Sequence, residues 1–346
     1  MMNVWRTRII FLIAVLAGAA FVAVANRTMN EYALSVICFV GIYMILALSL
    51  NVTNGFTGLF SLGHPAFMAI GGYVTAILTM PVMRKSMFLP DVPQWLGTLE
   101  IGFLPGLVIA GLAAAVTALV IGVAVLRLKG HYLAVATLGF LIIVQVLIRN
   151  MDTYTRGPLG LNGLESYTNL WWVFGWVVVT FFVSWKIKFS SLGRSMQAMR
   201  EDETAAHCSG VNLFRTRVLA LMIGAFFAGV SGGLWAHLVT AITPGSFSIV
   251  LAFVIVVMVV VGGTGSVTGG LCAAVVITLI TEVFRPLEES LDIYGLGQIA
   301  MSLILLAVLI FRPKGLLGSR EPDWLTGINN KEVKSQTSVT SKEVGR

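Results

Sequence analysis

Charge is scarce in this chain. Of its 346 residues 11% are Asp, Glu, Lys or Arg, less than half of the about 25% usual in soluble domains, while 57% are hydrophobic. A water-soluble globular domain is excluded. Cysteine is also sparse: Cys38, Cys208 and Cys272 lie far apart with no C-x-x-C pair, so neither a disulfide framework nor a zinc site is suggested. The four histidines, His64, His131, His207 and His237, form neither H-E-x-x-H nor an i, i+4 pair, and no metal is expected. A G-x-x-x-x-G-K-[ST] stretch is absent as well. The chain therefore does not hydrolyse nucleotide by the Walker A route, and any ATP engine belongs to another subunit.

Long apolar runs take the place of charge. They fall at about 9 to 25, 32 to 50, 64 to 81, 103 to 126, 131 to 148, 170 to 185, 218 to 240, 249 to 262, 269 to 284 and 296 to 311. A bilayer-spanning helix needs roughly 20 such residues, so an all-α polytopic bundle of about 8 to 10 spans is expected. The third, eighth and ninth runs are short or glycine-rich, which suits a broken or re-entrant helix held in protein. Near the N-terminus, Arg6 and Arg8, an apolar run and Ala23-Val24-Ala25 resemble a signal peptide. The run is longer than a usual signal core, so it is read as a retained helix.

Ten spans starting inside place 17 of the 23 basic residues on the cytoplasmic side, with a net charge there of +10 against −2 outside. Basic residues gather on the cytoplasmic side of membrane proteins, so both termini are expected in the cytoplasm. The overall +7 is then a topology signal and calls for no nucleic-acid partner. Residues 1–314 form the membrane domain in this reading. Residues 315–346, rich in Lys, Glu, Ser and Thr, read as a solvated cytoplasmic tail.

Ionisable groups are nearly missing from the spans, where only His237 and Glu282 fall inside, His64 and His131 standing at the first positions of their runs. Carriers driven by protons or sodium normally place such groups in the bilayer, so the energy source is expected elsewhere. Gly229-Val230-Ser231-Gly232 followed by Ala236-His237 resembles the serine motif of rhomboid intramembrane proteases. On one helix, however, six residues set Ser231 and His237 about 120° and about 9 Å apart, too far for a nucleophile and its base. The same residues make two small-xxx-small rows, Gly224, Ala228, Gly232 and Ala225, Gly229, Gly233, which let helices approach closely. Gln145, Ser231 and His237 are either contacts for a polar solute or interhelical hydrogen-bonders.

Between about 186 and 217 lies the longest polar stretch between spans, and its segment Ser195 to Ala206 has neither Gly nor Pro. Its Met, Gln, Ala, Arg and Glu favour a short surface helix that Gly210 would stop. It is either a solvated connector or a docking helix. Two further connectors are glycine-rich: Asn51 to His64, with Asn54, Gly55, Thr57, Gly58, Ser61 and Gly63, and Gly262-Gly263-Thr264-Gly265-Ser266-Val267-Thr268-Gly269-Gly270. These are either tight turns, which Pro65 suits, or non-helical backbone lining a translocation path or its gate. An outer loop from Arg149 to Asn169 carries Arg149, Asp152, Arg156 and Glu165, as a solvated loop or as a surface for a partner.

The stretch Gly193-Arg194-Ser195-Met196-Gln197-Ala198-Met199-Arg200-Glu201-Asp202-Glu203-Thr204-Ala205-Ala206, followed by Gly210-Val211-Asn212, closely resembles the coupling segment of the permease subunits of branched-chain amino-acid ABC importers of the LivM type. Three more stretches share the resemblance: Leu50-Asn51 through Asn54 to His64, Arg127 to Ala134 with Thr137-Leu138-Gly139-Phe140, and Gly157-Pro158 with Gly160. It spans roughly residues 35 to 315. His207 and Cys208 depart from the family's pattern, which has Glu and a small apolar residue there.

The resemblance implies a non-enzymatic, multi-pass permease subunit in a bacterial inner membrane. It also implies a second homologous permease, two cytoplasmic ABC ATPases that carry the ATP and Mg, and a periplasmic substrate-binding protein. The cargo would be branched-chain or related small amino acids, with urea, short amides and aromatic acids as alternatives within the family. In this setting Arg194 and Arg200 would meet acidic ATPase surface, Glu201 and Asp202 basic surface, and Met196 and Met199 would add apolar contact. A stand-alone secondary carrier or channel is the other reading.

Overall fold

A computed structural model describes residues 4–128, 130–292, 295–312, 315–318 and 321, with side chains from residue 11 onward. In chain order the helices are α1 (Val4–Thr28), α2 (Glu31–Leu50), α3 (His64–Thr79), α4 (Val82–Phe88), α5 (Gln94–Gly97), α6 (Phe103–Val125), α7 (His131–Asn150), α8 (Asp152–Thr155), α9 (Leu170–Phe189), α10 (Ser191–Glu201), α11 (Glu203–Cys208), α12 (Leu213–Val239), α13 (Ile249–Gly262), α14 (Val267–Leu291) and α15 (Leu296–Phe311). Among the described residues eight helices are long and apolar enough to cross a bilayer, and α15 is a shorter apolar helix of 16 residues.

The third apolar run is broken, as its composition suggests. Met80 is extended before Pro81, a residue that disfavours helix in its predecessor, and α4 leaves α3 at 116°. The ninth run differs from expectation, because α14 is one 25-residue helix. Its Gly269 and Gly270 serve close packing instead of a re-entrant turn: a Cβ on Gly269 would lie 2.1 Å from the Gly262 carbonyl oxygen of α13. The bundle also contains one antiparallel strand pair, β1 (Leu161–Asn162) with β2 (Ala241–Ile242), joining the α8–α9 loop to the end of α12.

At the centre stands α12, packed most extensively on α3 and α6. The small-residue rows do this work. A Cβ on Gly232 would sit 1.9 Å from the Met68 carbonyl oxygen of α3, and one on Gly229 would sit 2.7 Å from the Ala114 Cβ of α6. Helix α1 lies outside this core, against α9, where Phe11 stacks on Phe181 at 6.0 Å.

The chain's two ends of the bundle are chemically distinct. One end gathers α10, α11 and both glycine-rich connectors, and the other carries the β1–β2 pair, α4 and α5. At that second end His237 is an interhelical clamp. Its Nδ1 lies 2.7 Å from the Glu165 carbonyl, to which it donates, and its Nε2 lies 2.8 Å from the Thr79 hydroxyl. Ser231 donates to the Ala228 carbonyl at 2.7 Å and Gln145 to the Phe247 carbonyl at 2.5 Å. His237, Ser231 and Gln145 are thus each hydrogen-bonded within the protein.

The outer loop is held down instead of freely solvated. Arg84 donates to the Gly163 carbonyl at 2.6 Å, and the Arg156 guanidinium lies 4.9 Å above the Phe88 ring. Its Tyr167 phenol, hydrogen-bonded to the Glu165 carboxylate and partly buried, is pushed up to about 12 and stays neutral at physiological pH.

Candidate functional site

The polar segment after α9 folds as two helices. Ser190 caps α10 by accepting from the Gly193 amide at 3.1 Å, but the helix breaks at Asp202, whose backbone is extended. Asp202 then caps α11, its carboxylate accepting from the Thr204 and Ala205 amides at 2.8 and 3.0 Å. Asp and Asn favour this position because the side chain satisfies amides that the helix leaves free. Gly210, at φ +83°, ends α11 as expected. The single helix expected over Ser195 to Ala206 is therefore a helix–cap–helix elbow, because the Asp202 carboxylate competes for backbone amides.

The faces of α10 differ from the sequence assignment in an instructive way. Met196 and Met199 are fully buried, Met196 in a cluster with Leu48, Val52, Phe56, Ala220 and Val267. They anchor α10 to the membrane domain and offer no apolar surface to a partner. Arg200 also turns inward: its guanidinium donates to the Gly55 carbonyl at 2.7 Å and to the Thr264 carbonyl at 3.2 Å. Arg194, Ala198, Glu201 and Asp202 remain on the exposed side, with the Glu201 side chain 80% exposed. The helical period carries this signal, since positions 196, 199 and 200 share one face at about 100° per residue.

Gly55 and Thr264 belong to the two glycine-rich connectors, which the fold brings together. The first opens as a π-helical turn, Asn51–Gly55, continuing α2; such turns occur often at functional sites. Asn51 joins the connectors, its amide donating to the Ser266 carbonyl at 2.7 Å and its oxygen accepting from the Gly265 amide at 2.8 Å. Within the first connector, Asn54 closes the loop by bonding both the Ser61 carbonyl and amide at 3.1 and 3.2 Å. Thr57 bonds back to the Thr53 carbonyl, Gly58 lies against Arg200, and Gly63 lies against Thr137. His64 is buried with its Nε2 2.9 Å from the Ser49 hydroxyl.

In the second connector Gly262 meets Gly269, and Ser266 caps α14 through the Gly269 amide at 3.0 Å. Gly263 and Gly265 have φ of +106° and +89°, conformations that glycine alone adopts without strain. At Gly265 that conformation serves three partners at once: its amide faces Asn51, its carbonyl accepts from Lys188 at 2.7 Å, and a Cβ would lie 2.5 Å from the Arg200 guanidinium. Asn54, Gly58, Arg200 and Thr264 also line a cavity of about 200 Å³ between the connectors and α13.

Lys188 and Glu321 complete the junction, and no sequence motif marks either. The Lys188 ammonium lies 2.5 Å from the Glu321 carboxylate, with side-chain exposures of only 8% and 1%. Glu321 also accepts from the Val267 and Thr268 amides at 2.6 and 3.2 Å, at the start of α14. There its negative charge meets the positive end of the helix dipole. Leu316 and Leu317 donate to the Val261 and Gly262 carbonyls at 2.9 and 3.3 Å. Residues 315–318 and 321 are thus built into the junction where a solvated tail was expected, while the tail from 322 onward, like Lys129, Lys314 and Arg320, lies outside the described residues.

Among the described residues no group of three or more His, Cys, Asp or Glu could hold a metal ion. A helical bundle of apolar spans, with a short polar elbow pinned to buried connectors at one end, defines a multi-pass helical membrane protein. Residues 32–312 match the family model described as branched-chain amino acid transport system, permease component. The chain belongs to this family. It is 32% identical over 315 residues to the high-affinity branched-chain amino acid transport system permease protein LivM of Escherichia coli strain K12, covering 81% of this chain and 69% of that protein. The probable LivM of Methanocaldococcus jannaschii is 22% identical, covering 82% of this chain and 92% of that protein. LivH of Salmonella typhimurium is 26% identical, covering 81% and 92% respectively. No solved structure matches.

Proposed function

We propose that this chain is one of two permease halves of an ATP-driven importer in a bacterial inner membrane, carrying branched-chain or related small amino acids. Separate ABC ATPases, which bind the ATP and Mg, dock on the exposed side of the α10–α11 elbow, and a periplasmic binding protein meets the opposite end. The bridge from Arg200 to both connectors carries this reading. A force applied to α10 passes through Arg200 to Gly55 and Thr264, and hence to α2 and α13. The connectors then act as the gate, and ATP binding drives transport by favouring one of its two states. Similarity to both LivM and LivH is in keeping with a pair of homologous permeases.

Reversing the exposed charges tests the docking face. Arg194→Glu with Glu201→Lys is expected to weaken ATPase association about two- to tenfold, since exposed pairs contribute about 0–1 kcal/mol each. The amount of folded permease should stay constant. Titrating purified ATPase onto the permease pair in detergent measures this, and unchanged affinity would remove the elbow as the docking site. The chain alone in liposomes should transport nothing under an ion gradient.

A further inference from the structure

At the end of the bundle opposite the elbow, α2, α13, α14 and α15 enclose a second cavity of about 250 Å³. It lies beyond the connectors: Glu282 is 15 residues, about 22 Å, along α14 from Val267. Its wall is divided chemically. Val250, Leu251, Val254, Met258 and Met301 form an apolar part, while Thr278, Thr281, Glu282 and Gln298 form a polar one. Ligand pockets combine an apolar lining with a few convergent polar groups in this way, and those for drug-sized molecules run to about 300–1,000 Å³. This cavity fits a smaller solute.

Two of its polar groups are poised for a ligand. Thr278 is 3% exposed, and among the described residues its hydroxyl has no hydrogen-bond partner. Helical threonines ordinarily bond the carbonyl four residues back, as Thr281 does to Ile277 at 3.0 Å, so the orphaned hydroxyl needs a partner from elsewhere. Glu282 is one turn further along the same face. Its contacts to Tyr32 and Arg285, each at 3.4 Å, both fall on Oε2. An ionisable group inside a bundle ordinarily faces protein or a watery cavity and marks a solute pathway.

We propose that this cavity binds the transported solute as a zwitterionic aliphatic amino acid, an inference that rests on the importer reading above. The Glu282 carboxylate takes the α-ammonium, the Thr278 hydroxyl donates to the α-carboxylate, and the apolar wall receives a short branched side chain. One helical turn between Thr278 and Glu282 suits two charges carried on a single α-carbon. Uncharged urea and short amides, and aromatic acids without an ammonium group, add no cation for the Glu282 carboxylate beyond the Arg285 guanidinium already on its Oε2. The cavity between the connectors lies across α13: Val250, Leu251, Val254 and Met258 line this one, whereas Val256, Val259 and Val260, about 180° round the helix, line the other. Helix α13 therefore separates a loading site from the gate.

The test uses the complete transporter, co-expressed with its partners. Cellular uptake of labelled leucine by the wild type establishes the importer reading. Binding of labelled leucine to the purified permease–ATPase complex without binding protein then tests the cavity. Wild-type binding should saturate, Glu282→Gln and Thr278→Val should each weaken it at least tenfold with the complex intact, and 4-methylpentanoate, which lacks the ammonium, should compete poorly. Leucine uptake by cells, together with wild-type affinity in both variants or no binding by the wild-type complex, would overturn the cavity and leave the importer standing. Variants that lose only folded complex would reduce both residues to packing. Absence of leucine uptake would overturn both readings.

Discussion

Replacing Lys188 with methionine is expected to destabilise the folded permease by about 3 kcal/mol, because removing one member of a buried ion pair leaves the other charge uncompensated. The Glu321 carboxylate would keep its two amide donors at the start of α14, but it would lose the ammonium at 2.5 Å, and the Gly265 carbonyl would lose a donor. Those remaining donors hold the cost to the lower part of the about 3–5 kcal/mol seen for such losses. The double variant Lys188→Met, Glu321→Gln should recover part of it, since no buried charge is then stranded. Thermal unfolding followed by fluorescence-detected size exclusion in detergent reads the effect. Melting of Lys188→Met together with the wild type would show that the pair contributes nothing to the junction.

Arg200→Ala should cut transport at least tenfold while ATPase docking and ATP hydrolysis persist. The two carbonyls that Arg200 joins belong to different connectors, so its loss separates the docked elbow from both without touching the exposed face of α10. Lysine should rescue poorly. One terminal nitrogen of Arg200, Nη1, makes both bonds, and the lysine ammonium ends one bond short of it on a more flexible stem. The decisive quantity is substrate imported per ATP hydrolysed in proteoliposomes. A fall in that ratio with co-purification intact assigns Arg200 to transmission. Loss of the ATPases from the purified complex would assign it to docking, as the sequence alone suggested.

The spans were legible because bilayer thickness imposes a length of apolar sequence that few other structures need. The short, glycine-rich third run allowed for a broken helix, although the break itself, at Met80 before Pro81, was not placed, and Gly210 marked the end of α11. What stayed hidden was the direction in which polar groups point and what they reach. The family resemblance put Arg200 on a docking surface, although Met196 and Met199 mark its face as the buried one. Lys188 contributed to the basic count of a cytoplasmic loop, and Glu321 stood among the charges of a tail. Their pairing spans 133 residues, and no local pattern announces a contact of that length. Asn51 was passed over for the opposite reason: the glycines around it drew attention as flexible backbone, whereas its side chain ties the two connectors together.

The grouping of candidate residues by the fold gives the sequence reading its physical meaning. The two glycine-rich connectors, separated by some two hundred residues, form one buried junction, and α10 is bonded to it directly. The elbow is therefore tied to both connectors through hydrogen bonds to backbone carbonyls. Rigid attachment by Met196 and Met199 makes α10 a lever instead of a loose strap.

The most direct measurement places a photo-crosslinking amino acid at Ala198, on the exposed side of α10, in the complete transporter in native membranes. The account predicts an adduct to an ATP-hydrolysing subunit, one per elbow, formed whether or not substrate is present. Crosslinks only to lipid or to another copy of this chain, in membranes that import substrate at the normal rate, would contradict it.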